Sequence, residues 1–229
     1  MPGADRLECV FGKTSVEGEV EAGLGTCATP PAASIGLAVV EIKGNNESLL
    51  TAEFEYVESA VVYKVIPSTG PIHGGSLVDV LGSGFWPSPG LTCAYVDEGV
   101  ALVSAMWRTS SRVSCHMPAQ DMQGFGSLEI SNNGQDFTSN EVSFAYERAP
   151  TVMSVSLEDA RGHDGRGRLL RVVGAHFMQS YQLQCSTGNA QAYVSSSLIH
   201  CHVGPQAYGS NVTVEVSNNG QDYSSNGIG

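Results

Sequence analysis

Ten residues of this chain occur twice with almost no change. Ser131-Asn132-Asn133-Gly134-Gln135-Asp136-Phe137-Thr138-Ser139-Asn140 returns as Ser217-Asn218-Asn219-Gly220-Gln221-Asp222-Tyr223-Ser224-Ser225-Asn226, an offset of 86 positions. A repeat of that period is the length of one small domain, so the chain reads as tandem modules rather than one large fold. In each copy the Asn-Gly pair predicts a type I′ hairpin turn with two positive-φ residues.

Extending the match outward divides the chain. The most complete unit spans 60–148. It opens with Val65-Ile66-Pro67 and a Pro/Gly turn through Gly70-Pro71 and Gly74-Gly75, then alternates through Leu77-Val78-Asp79-Val80. Gly82-Ser83-Gly84-Phe85 reads as a turn. Further alternating runs follow at 91–96, 112–115 and 127–131, with a closing run at 142–146. About seven short strands separated by turn signals predict an all-β, immunoglobulin-like sandwich. A later unit, 149–229, matches Leu77 to Phe85 with Leu169 to Phe177 and stops one short strand before completion. An earlier unit, 1–59, matches Leu91 to Tyr95 with Leu7 to Phe11, and Phe144 to Tyr146 with Phe54 to Tyr56, but lacks the opening strands. Module borders that ignore both ends predict a segment of a longer array. Short linkers around 56–61 and 146–150 predict a semi-rigid rod of beads.

Charge narrows the partners. With 23 acidic against 11 basic side chains, the formal net charge is −12. Phosphate neutralisation needs clustered Lys and Arg, so nucleic acid is excluded as a partner. No apolar run reaches the roughly 20 residues that span a bilayer, which predicts no membrane insertion in this segment. Met1 to Glu8 carries neither the basic start nor the apolar run of a signal peptide.

The six cysteines fall two per unit: Cys9 and Cys27, Cys93 and Cys115, Cys185 and Cys201. Each second cysteine is followed closely by a proline, at Pro30, Pro118 and Pro205. An even count in the same relative places predicts one disulfide per unit, stapling neighbouring strands and contributing roughly 3 kcal/mol each by loop closure. Zinc is the competing reading, but there is no C-x-x-C pair and the first unit has no histidine. Disulfides imply an oxidising, extracellular or cell-surface setting. Two N-x-S/T triplets, at Asn46 and Asn211, are the glycosylation candidates, with Asn46 on an apparent hairpin the better one.

Catalytic residues and cofactors are not expected. His73, His116, His163, His176, His200 and His202 lie outside any nucleophile elbow or metalloprotease motif. His200-Cys201-His202 is the densest cluster, read as a disulfide-bonded strand with both histidines on one face rather than as a metal site. The acidic loops at Asp97-Glu98 and at Glu158-Asp159 with Asp164 lack a calcium-loop spacing and are read as solvated charge. Trp107, in an alternating run, is expected in the core, and Trp86, after the Gly-Phe turn, is the candidate contact residue.

The run Val65-x-Pro67-x-x-Gly70-Pro71-x-x-Gly74-Gly75, then Val78-x-Val80-x-Gly82-x-Gly84-Phe85, resembles the opening of an IPT/TIG domain. Cys93, Cys115-x-x-Pro118, Ser131-x-Asn133-Gly134 and Phe144-x-Tyr146 resemble the remainder. The third unit departs from the pattern where 156–164 replaces the Pro-x-x-Gly-Pro turn. Paired cysteines and acidity are similar to the extracellular groups of this family, and the near-identical hairpins to its long tandem arrays. The resemblance implies a non-catalytic extracellular structural or adhesive protein, a rod or filament building block of the mastigoneme kind, with self-association or other surface proteins as partners. The alternative it implies is a receptor ectodomain binding a protein or glycan through its modules.

Overall fold

The computed structural model describes residues 6–161, 168–204 and 213–228, which form strands and turns without a helix. Its contacts separate two units, Met1–Ser59 and Ala60–Gly229.

The first unit is a single five-stranded antiparallel sheet. Its strands are β1 (Leu7–Phe11), β2 (Thr14–Glu21), β3 (Leu24–Cys27), β4 (Gly36–Gly44) and β5 (Glu47–Tyr56), in the order β3-β2-β1-β4-β5. Asn45 and Asn46 join β4 to β5 with φ of 51° and 68°. This two-residue turn with both φ positive is where the type I′ geometry occurs, because asparagine tolerates left-handed backbone better than other non-glycine residues.

The second unit holds two strand sets, each with its own core. The first set comprises β6 (Val61–Ile66), β7 (Thr69–Pro71), β8 (Leu77–Ser83), β9 (Thr92–Val96), β10 (Val100–Thr109), β11 (Arg112–His116), β12 (Gly124–Ser131) and β13 (Ser143–Glu147), in the order β6-β8-β11-β10-β9-β12-β13-β7. The long β10 serves two partners. Val100–Ser104 pairs with β9, whereas Ala105–Thr109 pairs with β11. A strand that changes partner along its length joins the two layers of a sandwich. Period-two alternation supplies the core: along β8, Val78 and Val80 are wholly buried while their neighbours are not. They meet Phe85, Tyr95, Val113, Leu128, Ile130 and Phe144. Each such fully buried side chain contributes about 1.5–3 kcal/mol relative to exposure.

The second set comprises β14 (Thr151–Arg161), β15 (Arg168–Ala175), β16 (Gln184–Cys185), β17 (Gly188–Ser195), β18 (Leu198–Val203) and β19 (Val216–Ser217), in the order β14-β15-β18-β17-β16-β19. This is the order of β6-β8-β11-β10-β9-β12 over again. Where the sequence departs from the Pro-x-x-Gly-Pro turn, β14 runs on, and Arg161 pairs with Arg168.

Gly82 and Gly174 are strand residues, not turn residues, which corrects the sequence reading of 82–85. A Cβ on Gly82 would lie 2.0 Å from the carbonyl oxygen of Val61, and one on Gly174 2.0 Å from that of Thr151. The turn starts two residues later, at Gly84 with φ 73° and at its counterpart His176 with φ 60°.

The cysteine pairs join as Cys9–Cys27, Cys93–Cys115 and Cys185–Cys201, with Cα separations of 6.3, 6.5 and 6.1 Å. They do not staple neighbouring strands, contrary to the sequence expectation. Cys93 on β9 and Cys115 on β11 are separated by β10, and Cys9 and Cys27 by β2. Two strand spacings in a flat sheet would be about 9.6 Å, so the sheet must fold about the intervening strand. Gly18 on β2 leaves the room: a Cβ there would stand 2.6 Å from the Cys27 sulfur.

Candidate interaction surface

Two features of the second unit rise above its framework, the repeated hairpin and a cleft beside it.

The hairpin is not the type I′ turn the sequence suggests. Only Gly134 and Gly220, both with φ 76°, are left-handed. The loop is wider, closed by bridges from Ser131 to Phe137 and from Ser217 to Tyr223. The second asparagine organises it from within. Asn133 Oδ1 accepts the backbone N–H groups of Gln135 (3.0 Å) and Asp136 (2.9 Å), and its Nδ2 donates to Asp136 Oδ2 (2.7 Å). Asn219 does the same to Gln221, Asp222 and Asp222 Oδ2 at 3.0, 2.9 and 2.7 Å. The first asparagine ties the loop to the turn after β8 or β15. Asn132 Nδ2 donates to the Gly84 carbonyl and Asn218 Nδ2 to that of His176, each at 2.8 Å.

What the two loops touch differs. Asn219 Nδ2 also donates to the Thr69 carbonyl (2.8 Å), and the Ser76 hydroxyl donates to Asp222 Oδ2 (2.6 Å). These bonds tie the second strand set to the opening turn of the first. Asn219 and Ser76 are 5% and 1% exposed. The seam there, between Pro71, Pro150 and Asn219, leaves about 20 Å³, room for about one water. Asn133 and Asp136 are exposed.

The cleft has a volume of about 390 Å³ and is lined by Phe125, Tyr146, Arg148, His176, Met178 and Ser196. Phe125 is 79% exposed and Met178 42%. Beneath them Tyr146 is buried and donates from its hydroxyl to the Pro118 carbonyl (2.5 Å). Burial, with the neighbouring Tyr95, pushes its phenol well above the ordinary range, so it is a neutral donor. Glu147 lines the same cleft, and burial raises its carboxyl above the ordinary range.

The remaining sequence candidates are dispersed. Trp107 is not core: it is 41% exposed, as Trp86 is, and its indole N–H reaches the Phe85 carbonyl at 3.3 Å. His200 and His202 lie on the outer face of β18, away from the buried Cys201, and His200 pairs with Glu158 at 3.2 Å. Among the described residues no group of three or more His, Cys, Asp or Glu side chains converges on a point where a metal would sit. Asp97 caps its own turn by accepting the Gly99 N–H (2.9 Å). Asn46 is exposed on the β4–β5 turn. Asn211, His163 and Asp164 lie outside the described residues.

Sequence reasoning missed a buried carboxylate. Glu129, 4% exposed, accepts the Thr138 hydroxyl (2.5 Å) and the backbone N–H groups of Asn140 (3.2 Å) and Glu141 (2.9 Å). Glu215 does the same for Ser224 and Gly227. The offset of 86 between these two glutamates was the available signal. It also missed a shared tyrosine tie: Tyr56 donates to the Pro30 carbonyl (2.9 Å) as Tyr146 does to Pro118.

Comparison with known proteins places these features. The IPT/TIG domain model matches residues 60–146 and 150–228. Mouse Plexin-B2 is 25% identical over 224 residues, which is 90% of this chain and 12% of Plexin-B2. Mouse Fibrocystin-L is 26% identical over 160 residues, 68% of this chain and 4% of that protein. The chain thus spans about an eighth or less of these relatives. Among solved structures, the Plexin A4 full extracellular region aligns over 98% of this chain and 40% of its own, at 11% identity and a TM-score of 0.30. Three disulfides persist in oxidising surroundings, and the protein is extracellular or exposed at the cell surface.

Proposed function

The chain belongs to the IPT/TIG domain family, and we propose that it is a non-catalytic segment of a receptor-type ectodomain. In this reading its modules are divided at 1–59, 60–148 and 149–229, and they carry a protein-binding surface. The supporting observation is similarity to Plexin-B2 along nine-tenths of the chain. This reverses the order of the sequence reading, in which a mastigoneme-like filament came first. The contact surface in this proposal is the cleft around Phe125. Two exposed apolar anchors, Phe125 and Met178, stand beside an exposed Arg148, the composition enriched at protein–protein interfaces. A glycan on Asn46, on its exposed turn, fits the same setting. Nothing in this reading requires a cofactor or metal.

The test is a screen of the labelled full chain against cell-surface and secreted proteins, repeated with Phe125→Ala/Met178→Ala. A partner whose affinity falls at least about tenfold on that substitution supports the reading, a loss expected for central interface anchors. Regular filaments of the isolated chain in negative-stain electron micrographs, with no partner found, would return the filament reading to first place. Self-association would then run through sheet edges such as β3, which pairs on one side only among the described residues.

A further inference from the structure

The two copies of the decapeptide share the hydrogen bonds that join the second asparagine to the aspartate, and their surroundings differ. The copy at 217–223 grips a turn: its Asn219 amide holds the Thr69 carbonyl and its Asp222 carboxylate holds the Ser76 hydroxyl. The copy at 131–137 presents the same amide and carboxylate, 2.7 Å apart in both copies, to solvent. The turn that is gripped lies on β7 and the approach to β8, and the first unit's sheet has no counterpart of β6, β7 or β8 among the described residues.

We propose that the exposed hairpin, Asn132 to Asp136, is a docking site for the opening turn of another TIG-type module. The turn it fits presents a main-chain carbonyl and, seven residues on, a serine hydroxyl, as Thr69 and Ser76 do. The chemistry is directional. The carboxamide N–H needs an acceptor and the carboxylate a donor, so a carbonyl with a nearby hydroxyl fits and an anionic ligand does not. The hairpin is set before any partner arrives, because Asn133 already fixes Asp136 through both backbone and side-chain bonds. Little conformational entropy is then lost on docking. The decapeptide is therefore a connector used repeatedly along a tandem array. This deepens the array reading but does not depend on the Phe125 cleft, which its test leaves untouched.

The experiment is an NMR titration of the full chain. The observed species is the isotopically labelled natural chain. The titrant is the unlabelled full chain carrying Asn219→Ala and Asp222→Ala, whose own Thr69–Ser76 turn is released. Amide shifts confined to Asn132–Phe137, absent with unmodified titrant and lost when the observed chain carries Asn133→Ala/Asp136→Ala, support the proposal. The absence of those shifts, with faster amide exchange at Ile72 and Gly74 showing the titrant's turn to be open, overturns it. So does a titrant whose turn stays as protected as in the natural chain, since Asn219 and Asp222 would then not be what holds it. Should the paired substitution unfold the titrant, Asn219→Ala alone takes its place.

Discussion

In the second unit the rings of Tyr95, Phe144 and Tyr146 are at most 2% exposed, whereas Phe11, Phe54 and Tyr56, in the same relative places of the first unit, are half-buried. The closing pair of each triad is nonetheless packed alike. Phe144 and Tyr146 meet edge-to-face at 5.1 Å, Phe54 and Tyr56 at 5.0 Å. Each tyrosine bonds the carbonyl of the proline that follows the second cysteine. The strand order agrees too: β3-β2-β1-β4-β5 corresponds to β11-β10-β9-β12-β13. What differs is the covering layer. β6 and β8 lay Val62, Val65, Val78 and Val80 into the core around Tyr95. The first unit has no such strands among the described residues, and Leu7, Cys9 and Val40 are its buried apolar side chains there. Strand order and aromatic triad lay out the module, and the covering strands make it a core.

The largest expected effect lies in the covering strands. Gly82→Ala and Gly174→Ala each force a Cβ against a backbone carbonyl of the neighbouring strand, so β6 must move from β8, or β14 from β15. Each substitution is expected to cost more than about 3 kcal/mol, at the upper end of overpacking effects. Denaturant titration measures it. The cost should fall on the second unit alone, since the first has no such strand pair among the described residues. A loss below about 1 kcal/mol would mean that the covering strands are not rigidly seated.

The disulfides come next, and here the contrast is in what survives. Cys9–Cys27 and Cys93–Cys115 close loops of 18 and 22 residues, so loop-closure entropy gives both about 3 kcal/mol. Replacing Cys93 and Cys115 by Ser should lower the melting temperature yet leave β8 and β12 protected from amide exchange, because the rest of that core stays buried. Replacing Cys9 and Cys27 should leave β1 and β4 exchanging freely. Equal protection after both replacements would break the contrast and show that the first unit is better covered than its side-chain burial indicates.

Much of this was legible in the sequence, for reasons that can be traced to residues. The period of 86 is readable because the same asparagines and aspartate set the loop in both copies, the first asparagine by tying it to the preceding turn and the second by holding the aspartate. The all-β fold followed from alternation, as in Val78 and Val80. The cysteine partners followed from their even placement, but not the strand between them, because one-dimensional spacing does not reveal that a sheet curls about its middle strand. Gly82 was misread because a glycine needed for close approach in a strand looks the same in sequence as one that makes a turn. Trp107 was misread because β10 changes layers along its length, so one alternation pattern does not hold throughout. The division of roles between the two hairpins was out of reach, since near-identical sequences gave no hint that one would grip a turn and the other stand open.

The smallest effect contrasts two carboxylates. Glu41, in the open sheet of the first unit, is held below the ordinary carboxylate range by the Ser48 hydroxyl and by Lys43. Glu147, at the end of β13, is raised by burial without a compensating partner. Because the folded state binds the Glu147 proton more tightly than the unfolded chain does, its contribution is fully favourable below the ordinary carboxylate range. It is lost as pH rises through the raised value, so near neutrality the ionised group opposes folding. Glu147→Gln removes that opposition while keeping the shape, and should stabilise the second unit near neutral pH by less than about 1 kcal/mol, since the half-buried group is partly screened by water. Melting curves across pH should show the variant above the natural protein at neutrality and the two converging in acid. A gap of the same size at every pH would assign the effect to packing and would remove the contrast between an open sheet that welcomes charge and a closed one that resists it.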